Sequence, residues 1–122
     1  MKKTDHETTI DELKTLVVKF RQERGWEKHF TPKNVATSIA IEAAELLEHF
    51  QWKNMDESRA YLESHKDELS KEVADIAIYL LYFCDEAGID LFEAINSKMD
   101  VNEQKYPVDK SKGNSKKYNE LD

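Results

Sequence analysis

Apolar residues recur at the spacing of an α-helix in four long segments of the chain. The first segment predicts a helix over residues 9–24, which Gly25 ends. Thr31 followed by Pro32 is typical of a helix start, because threonine can cap the first backbone N–H groups and proline fits the first helical position. A second helix is therefore expected over residues 32–52.

The second half of the chain carries similar start and stop signals. A short helix is expected after Asp56, and a long helix over residues 67–87, with Gly88 as its C-terminal stop. Asp90 then caps a fourth long helix, expected over residues 91–106. Because short loops between long helices favour antiparallel neighbours, the expected fold is an all-α antiparallel helical bundle of four main helices and a short one.

Length and composition indicate one domain. The chain has 122 residues, of which 39% are hydrophobic, with only three glycines and two prolines to form turns. We expect a helical domain over residues 1–108 and a polar C-terminal tail over residues 109–122. No apolar segment approaches the length of a membrane span, and the single cysteine, Cys84, excludes an internal disulfide. A soluble cytoplasmic protein without a membrane partner is expected.

The charge balance restricts the class of ligand. There are 25 acidic and 18 basic residues, so the formal net charge is −7. This charge argues against binding to a nucleic acid polymer, which usually requires a basic surface. A small phosphorylated ligand stays possible, provided that a metal ion or a well-placed lysine offers positive charge locally.

Two carboxylate pairs lie in apolar segments. Glu42 and Glu45 are three residues apart on the second predicted helix, and Glu72 and Asp75 repeat that spacing on the third. Asp75 is the single charged residue of the run VADIAIYLLYFC. A Glu-x-x-Glu pair usually belongs to a solvated helix face, but a carboxylate in such a run should be paired, protonated or metal-bound. A buried salt bridge is the alternative, although both helices have few cations near these positions.

A site built from carboxylates alone suits a hard cation. Four of them on two facing helices predict a site for Mg²⁺, with Mn²⁺ as a possible substitute. A zinc site would need a cluster of cysteine and histidine, and a di-iron site would need Glu-x-x-His on two helices. Neither pattern accompanies these carboxylates.

Further polar residues complete the prediction. Lys98 and Asn102 are one turn apart on the fourth long helix, on the same face as apolar residues that are expected to point inward. A lone lysine there usually extends to solvent, but it is also a suitable point charge for a phosphate. Tyr79, one turn after Asp75, can hydrogen-bond a sugar or phosphate oxygen, although a lone tyrosine is more often a core residue.

With these positions identified, the sequence resembles the MazG-like nucleotide pyrophosphohydrolases, and in particular their dCTP pyrophosphatase-like subgroup. The family pattern is E-x-x-E, a spacer and E-x-x-D, which here is Glu42-Ala-Ala-Glu45 and Glu72-Val-Ala-Asp75. The similarity extends over about residues 13–108, through the stretches TPKNVATSIAIEAAELLEHFQW, ELSKEVADIAIYLLYF and INSKMDVNEQKYPV.

The resemblance implies hydrolysis of a (deoxy)nucleoside triphosphate to the monophosphate and pyrophosphate. It implies that the four acids hold Mg²⁺, which bridges the triphosphate and activates water for attack on the α-phosphorus. Glu42 and Glu45 are then the two candidates for the catalytic base. The family also implies a homodimer or homotetramer, which would complete the helical bundle and border its sites with more than one subunit.

The family suggests which residues contact the nucleotide. Lys98 and Asn102 match positions that contact its phosphate and sugar region, and Tyr79 matches another nucleotide contact. Near the base, Trp26 and Trp52 match aromatic residues of the family, with ordinary core or interface packing as the alternative, and Phe30 is a further candidate. Relatives often have a histidine where this chain has Phe30, so the preferred base stays open.

Two other functions stay compatible with the sequence. One is a related all-α hydrolase of a different nucleotide, such as dUTP or phosphoribosyl-ATP. The other is a non-catalytic helical dimer that binds a nucleotide or a metal. The complete set of four acids favours the enzyme, because a binding protein has no need to retain every group that activates water.

Overall fold

A computed structural model describes residues 3–122, and they form helices and connecting turns without a β-strand. The expected all-α fold is confirmed. The α-helices within this part of the chain are α1 (Ile10–Glu23), α2 (Pro32–Glu48), α3 (Met55–Ser64), α4 (Lys66–Ala87), α5 (Leu91–Lys105) and the short α6 (Val108–Ser111). Two single-turn 3₁₀ helices accompany them, Glu27–His29 and Tyr118–Glu120.

Side-chain caps begin α1, α2 and α5. The Thr9 hydroxyl accepts a hydrogen bond from the Glu12 backbone N–H at 3.1 Å at the start of α1. Thr31 caps α2 in the same way, with Pro32 in its first turn, and the Asp90 carboxylate caps α5. Gly88 ends α4 with a φ of 66°, a left-handed conformation that glycine adopts without steric strain.

Two predicted boundaries were wrong. Helix α2 ends at Glu48 rather than near residue 52, and α3 is capped by Asn54 rather than Asp56. Asn54 forms a capping box with Glu57, in which each side chain accepts a hydrogen bond from the other residue's backbone N–H. Asn54 has the extended backbone of a cap residue, and residues 49–52 form a turn between the end of α2 and this cap.

The chain divides into two compact units, the first ending at Ile89 and the second covering Asp90–Asp122. In the first unit, α4 packs mainly against α2 and also against α1 and α3. Phe30, before α2, contacts Tyr82, whereas His49, after α2, lies near Glu72. Helices α2 and α4 are therefore antiparallel. The buried apolar residues include Val17, Val35, Leu69, Leu81, Tyr82 and Cys84.

The second unit contains α5, α6 and the last 3₁₀ turn. Tyr106 and Tyr118 meet edge to face with ring centroids 6.3 Å apart, and the Lys105 ammonium lies 4.5 Å from the centre of the Tyr118 ring. Part of the predicted polar tail thus folds back on the end of α5. The proposed boundary between a domain of residues 1–108 and a tail of residues 109–122 stays a prediction.

The stripe on α5 that the sequence predicts to be inward-facing is not buried in the single chain. Ile95 and Met99 are 51% and 50% exposed, so this expectation was wrong for the isolated chain. Val73 on α4 is also half exposed, although its helix looks apolar nearly all round. Within residues 3–122, no helix combines the length and apolar character that spanning a membrane requires.

A partly buried ion pair joins α1 to α4. The Arg21 guanidinium donates a hydrogen bond to the Asp85 carboxylate at 2.7 Å, and Arg21 is 4% exposed. The same guanidinium lies over the rings of Phe30 and Tyr82, at 5.9 and 5.4 Å from their centres. This arginine therefore binds α1, α4 and the loop before α2 together, a role that its sequence position does not indicate.

We expect Asp85→Asn to lower the free energy of unfolding by about 2 kcal/mol, because it leaves a buried guanidinium without its counter-charge. Urea unfolding followed by circular dichroism measures the difference. The control is Glu23→Gln, which removes the exposed ion pairs of Glu23 with Lys19 and Arg24 and should change stability by at most about 0.5 kcal/mol. Equal effects of the two substitutions would contradict a special role of the buried pair.

Candidate active site

Three carboxylates meet where α2 packs against α4. Glu42 and Glu45 come from successive turns of α2 and Glu72 from α4, and one oxygen atom from each lies within 4.8 Å of the others. Glu42 and Glu72 are partly buried, whereas Glu45 is exposed. The antiparallel packing of two helices thus brings together acids that are 30 residues apart in sequence.

Asp75, the fourth predicted acid, lies one turn after Glu72 on the same helix and is partly buried. It is not among the three carboxylates that meet within 4.8 Å. Its charge nevertheless raises the pKa of Glu42, so the two carboxylates are close enough to interact. That the four acids together bind a metal stays a prediction.

The electrostatics of this cluster favour a cation. Burial raises the pKa of Glu42 above its usual value, and a hydrogen bond with Glu45 and the charges of Glu45, Asp75 and Glu72 add to the effect. One oxygen of Glu42 and one of Glu72 are buried without a hydrogen-bond partner. Buried acceptors that repel one another are stabilised by a bound cation, so these residues fit a hard metal ion.

A cleft of about 430 Å³ opens beside the cluster. Its lining residues are Glu45, Glu48, His49, Lys53, Tyr61 and Glu72. His49 Nε2 lies 3.5 Å from Glu72 Oε1, and among residues 3–122 this is the one ion pair that involves a carboxylate of the cluster. His49 was not among the predicted site residues, although the spacing of Glu42, Glu45 and His49 places all three on one face of α2.

Three of the predicted nucleotide contacts form one aromatic cluster. Trp26 stacks on Phe30, with ring centroids 6.3 Å apart, and Phe30 lies 6.3 Å from Tyr79. Phe30 also meets Tyr82 edge to face at 4.9 Å, and burial raises the pKa of the Tyr82 hydroxyl. Since Tyr79 is one turn after Asp75 on α4, this aromatic cluster is close to the acidic cluster along the helix.

The other predicted contacts belong to other segments of the chain. Trp52 is in the turn between α2 and α3 and is 87% exposed, outside the aromatic cluster. Lys98 and Asn102 are on α5, in the second unit, where Lys98 is exposed and Asn102 partly buried. The amide of Asn102 approaches the Met99 sulfur at 3.9 Å. The nucleotide-binding roles of these residues stay predictions.

Comparisons with known proteins identify the family of this chain. A model of the family described as MazG-like matches residues 37–121, which include both carboxylate pairs. Among curated proteins, dCTP pyrophosphatase 1 of Mus musculus is 37% identical over 117 residues, which is 94% of this chain and 69% of the mouse protein. The human dCTP pyrophosphatase 1 is 34% identical over the same lengths.

A solved structure is similar as well. The crystal structure of a pyrophosphatase from Archaeoglobus fulgidus superposes with a TM-score of 0.79 and is 50% identical in sequence. The similarity covers 87% of this chain and 99% of the archaeal one.

The chain belongs to the MazG-like family. Its predicted resemblance to the dCTP pyrophosphatase-like subgroup is confirmed by the curated relatives. The predicted enzyme class is confirmed too, and the chain is a nucleoside triphosphate pyrophosphohydrolase.

We expect Glu42→Gln to raise the melting temperature at neutral pH in the absence of divalent metal. Because the pKa of Glu42 is raised by folding, ionising it destabilises the native state, and this loss appears as the pH rises through the folded pKa. The difference between variant and wild type should therefore shrink in acid, where Glu42 is protonated. Thermal unfolding in EDTA across a pH series measures it.

The control for that series is Glu86→Gln, which neutralises an exposed glutamate at the end of α4. It should follow the wild type at each pH. If Glu42→Gln were less stable than the wild type at neutral pH, the repulsion described for the cluster would be wrong.

Proposed function

We propose that the chain hydrolyses a dCTP-like (deoxy)nucleoside triphosphate to the monophosphate and pyrophosphate, with water attacking the α-phosphorus and Mg²⁺ required. The observation that supports this proposal is the acidic cluster, in which Glu42, Glu45 and Glu72 converge with two buried oxygens unpartnered. The relatives named dCTP pyrophosphatase favour this substrate over dUTP or phosphoribosyl-ATP.

Glu42, Glu45, Glu72 and Asp75 would hold the metal. Their oxygen ligands suit Mg²⁺, and Mn²⁺ is the expected substitute. When bound, the ion supplies positive charge against the phosphates. The protein's part is to hold the carboxylates close together, which the packing of α2 on α4 achieves without a lysine or arginine in the cluster.

Glu42 and Glu45 are the proposed catalytic residues. A carboxylate that takes a proton from the attacking water acts as a general base, and a raised pKa makes it a better proton acceptor. Glu42 has the raised pKa, whereas Glu45 is exposed and accessible to water.

The aromatic cluster is the proposed contact surface for the nucleoside. Trp26 and Phe30 offer stacked ring faces to a base, and the Tyr79 hydroxyl can hydrogen-bond a sugar or phosphate oxygen. Trp52 is proposed as a further base contact. Phe30 stands where relatives often have histidine, so the base is held by ring contact rather than by a histidine hydrogen bond at this position.

Lys98 and Asn102 are the proposed phosphate and sugar contacts of α5. The lysine ammonium is a point charge for a phosphate, and the asparagine amide can both donate and accept hydrogen bonds. The exposed apolar residues on α5 support assembly into a homodimer or homotetramer, since such residues are buried when subunits associate. Cleaning of the cytoplasmic nucleotide pool is the proposed role.

We expect Glu45→Gln and Asp75→Asn each to lower kcat at least about a hundredfold while the helical fold is retained, since each removes a ligand charge needed for the reaction. A panel of dNTPs and NTPs with Mg²⁺, followed by chromatography of the products, measures turnover and identifies the bond that breaks. Circular dichroism monitors the fold.

The exposed Glu86→Gln is the matched control on α4 and should keep the wild-type rate. Release of orthophosphate together with a nucleoside diphosphate would show that attack does not occur at the α-phosphorus. A near-native rate for Asp75→Asn would remove that residue from the proposed metal site.

We expect Lys98→Met to raise KM for the nucleotide about tenfold with a smaller effect on kcat, because it removes a charge that binds phosphate in the ground state. Steady-state kinetics with dCTP over a range of salt concentrations provides the measurement. The control, Lys110→Met, removes another exposed lysine of the second unit and should leave KM unchanged. If the two variants behaved alike, Lys98 would have no specific role.

A further inference from the structure

His49 connects the acidic cluster to α3 through both of its ring nitrogens. Its Nδ1 lies 2.7 Å from the Tyr61 hydroxyl oxygen, and its Nε2 lies 3.5 Å from Glu72 Oε1. The side chains of His49 and Glu72 are only about one-fifth exposed, at 20% and 21%. Tyr61 comes from α3, His49 is the C-cap residue of α2, and Glu72 comes from α4. Three helices therefore contribute to one chain of hydrogen-bond contacts.

The chemistry of the three groups sets the direction of the hydrogen bonds. An ionised Glu72 carboxylate can only accept, so Nε2 must carry the hydrogen that faces it. In a neutral imidazole the other nitrogen, Nδ1, is then an acceptor, and the Tyr61 hydroxyl donates to it. The chain of hydrogen bonds therefore runs from the Tyr61 hydroxyl through the His49 ring to the Glu72 carboxylate, and each donor in it faces an acceptor.

We propose that His49 and Tyr61 are positioning residues that fix the Glu72 carboxylate for metal binding. His49 engages Oε1 of Glu72, while Oε2 is buried without a hydrogen-bond partner. A carboxylate that is held through one oxygen presents its other oxygen in a defined direction. Hydrogen bonds to the ligands of a metal ion commonly affect how tightly the ion binds. The inference rests on the proposed metal-dependent function and assigns residues that support its ligands.

The surroundings keep Tyr61 in place. Its ring stacks on His65, with centroids 3.8 Å apart and planes inclined by 6°, and it meets Phe50 edge to face at 5.5 Å. The Lys53 ammonium lies 4.2 Å from the centre of the Tyr61 ring and donates to the His49 carbonyl at 2.6 Å. The Tyr61 ring is therefore held by contacts on several sides, and its hydroxyl lies against His49.

Metal binding without substrate tests the proposal. Mn²⁺, whose free ion has a strong electron paramagnetic resonance signal, is titrated into purified protein without nucleotide, and a dissociation constant is obtained for each variant. His49→Phe keeps a ring but removes both hydrogen bonds, and it should weaken Mn²⁺ binding about tenfold or more. Tyr61→Phe removes one hydroxyl and should weaken binding by a smaller factor.

A conservative variant separates positioning from packing. The His49→Gln amide can still donate toward Glu72, so binding should recover in part relative to His49→Phe. His6→Gln, which changes an exposed histidine near the N-terminus, should bind Mn²⁺ as the wild type does. Thermal unfolding in EDTA checks that each variant is folded, and Tyr61→Phe gives a result even if His49→Phe does not fold.

The outcomes distinguish this proposal from the proposed function. If folded His49→Phe bound Mn²⁺ with wild-type affinity, the positioning role would be overturned. If His49→Phe did not fold, wild-type affinity in Tyr61→Phe would overturn it instead. Equal losses in His49→Phe and His49→Gln with no loss in Tyr61→Phe would overturn it as well, since the hydrogen bonds would then be irrelevant. Glu72→Gln tests the metal site itself. The proposed metal function would be wrong if the wild type showed no saturable Mn²⁺ binding. It would also be wrong if Glu72→Gln left that binding intact.

Discussion

The mutual repulsion of carboxylates between α2 and α4 is the interaction around which this site is organised. Packing two antiparallel helices through their apolar residues places Glu42, Glu45 and Glu72 within a few ångströms of one another. The raised pKa of Glu42 and the unpartnered buried oxygens show that the fold tolerates an unfavourable arrangement there. Strain of this kind is common at functional sites, where a ligand relieves it.

Contacts elsewhere in the first unit hold the neighbouring helices against α4. The Arg21–Asp85 pair holds α1 against α4, and the arginine also lies over the rings of Phe30 and Tyr82. The aromatic cluster is thereby fixed at the end of α4 that follows the acids. On the other side of the acids, the contacts of His49 and Tyr61 tie α3 to Glu72. Charged groups are thus held by neighbouring helices on both sides of the acidic cluster.

Membership of the MazG-like family accounts for the combination of a small helical fold with clustered acids. The structural similarity to the archaeal pyrophosphatase extends over nearly the whole of that chain. The contacts of Phe30, His49 and Tyr61 come from the structure of this chain, and they are the basis of the proposals on the base and on metal affinity.

Much of the local structure could be predicted from the sequence, because it depends on neighbours along the chain. Thr9, Thr31 and Asp90 cap helices through bonds to backbone groups three residues away, and Gly88 ends α4 by its own conformation. The boundary between α2 and α3 was missed because the capping box of Asn54 with Glu57 competes with continued helical periodicity. The carboxylate pairs were found because their three-residue spacing is also local.

The tertiary structure decided which distant groups meet. The sequence by itself determined an all-α chain with two acidic pairs at helical spacing and a resemblance to one family. It could not determine that three acids meet more closely than four, that Arg21 is buried against Asp85, or that His49 lies between Tyr61 and Glu72. The physical reason is that local pattern fixes the face of a helix on which a residue lies, whereas the packing of helices fixes what that face touches.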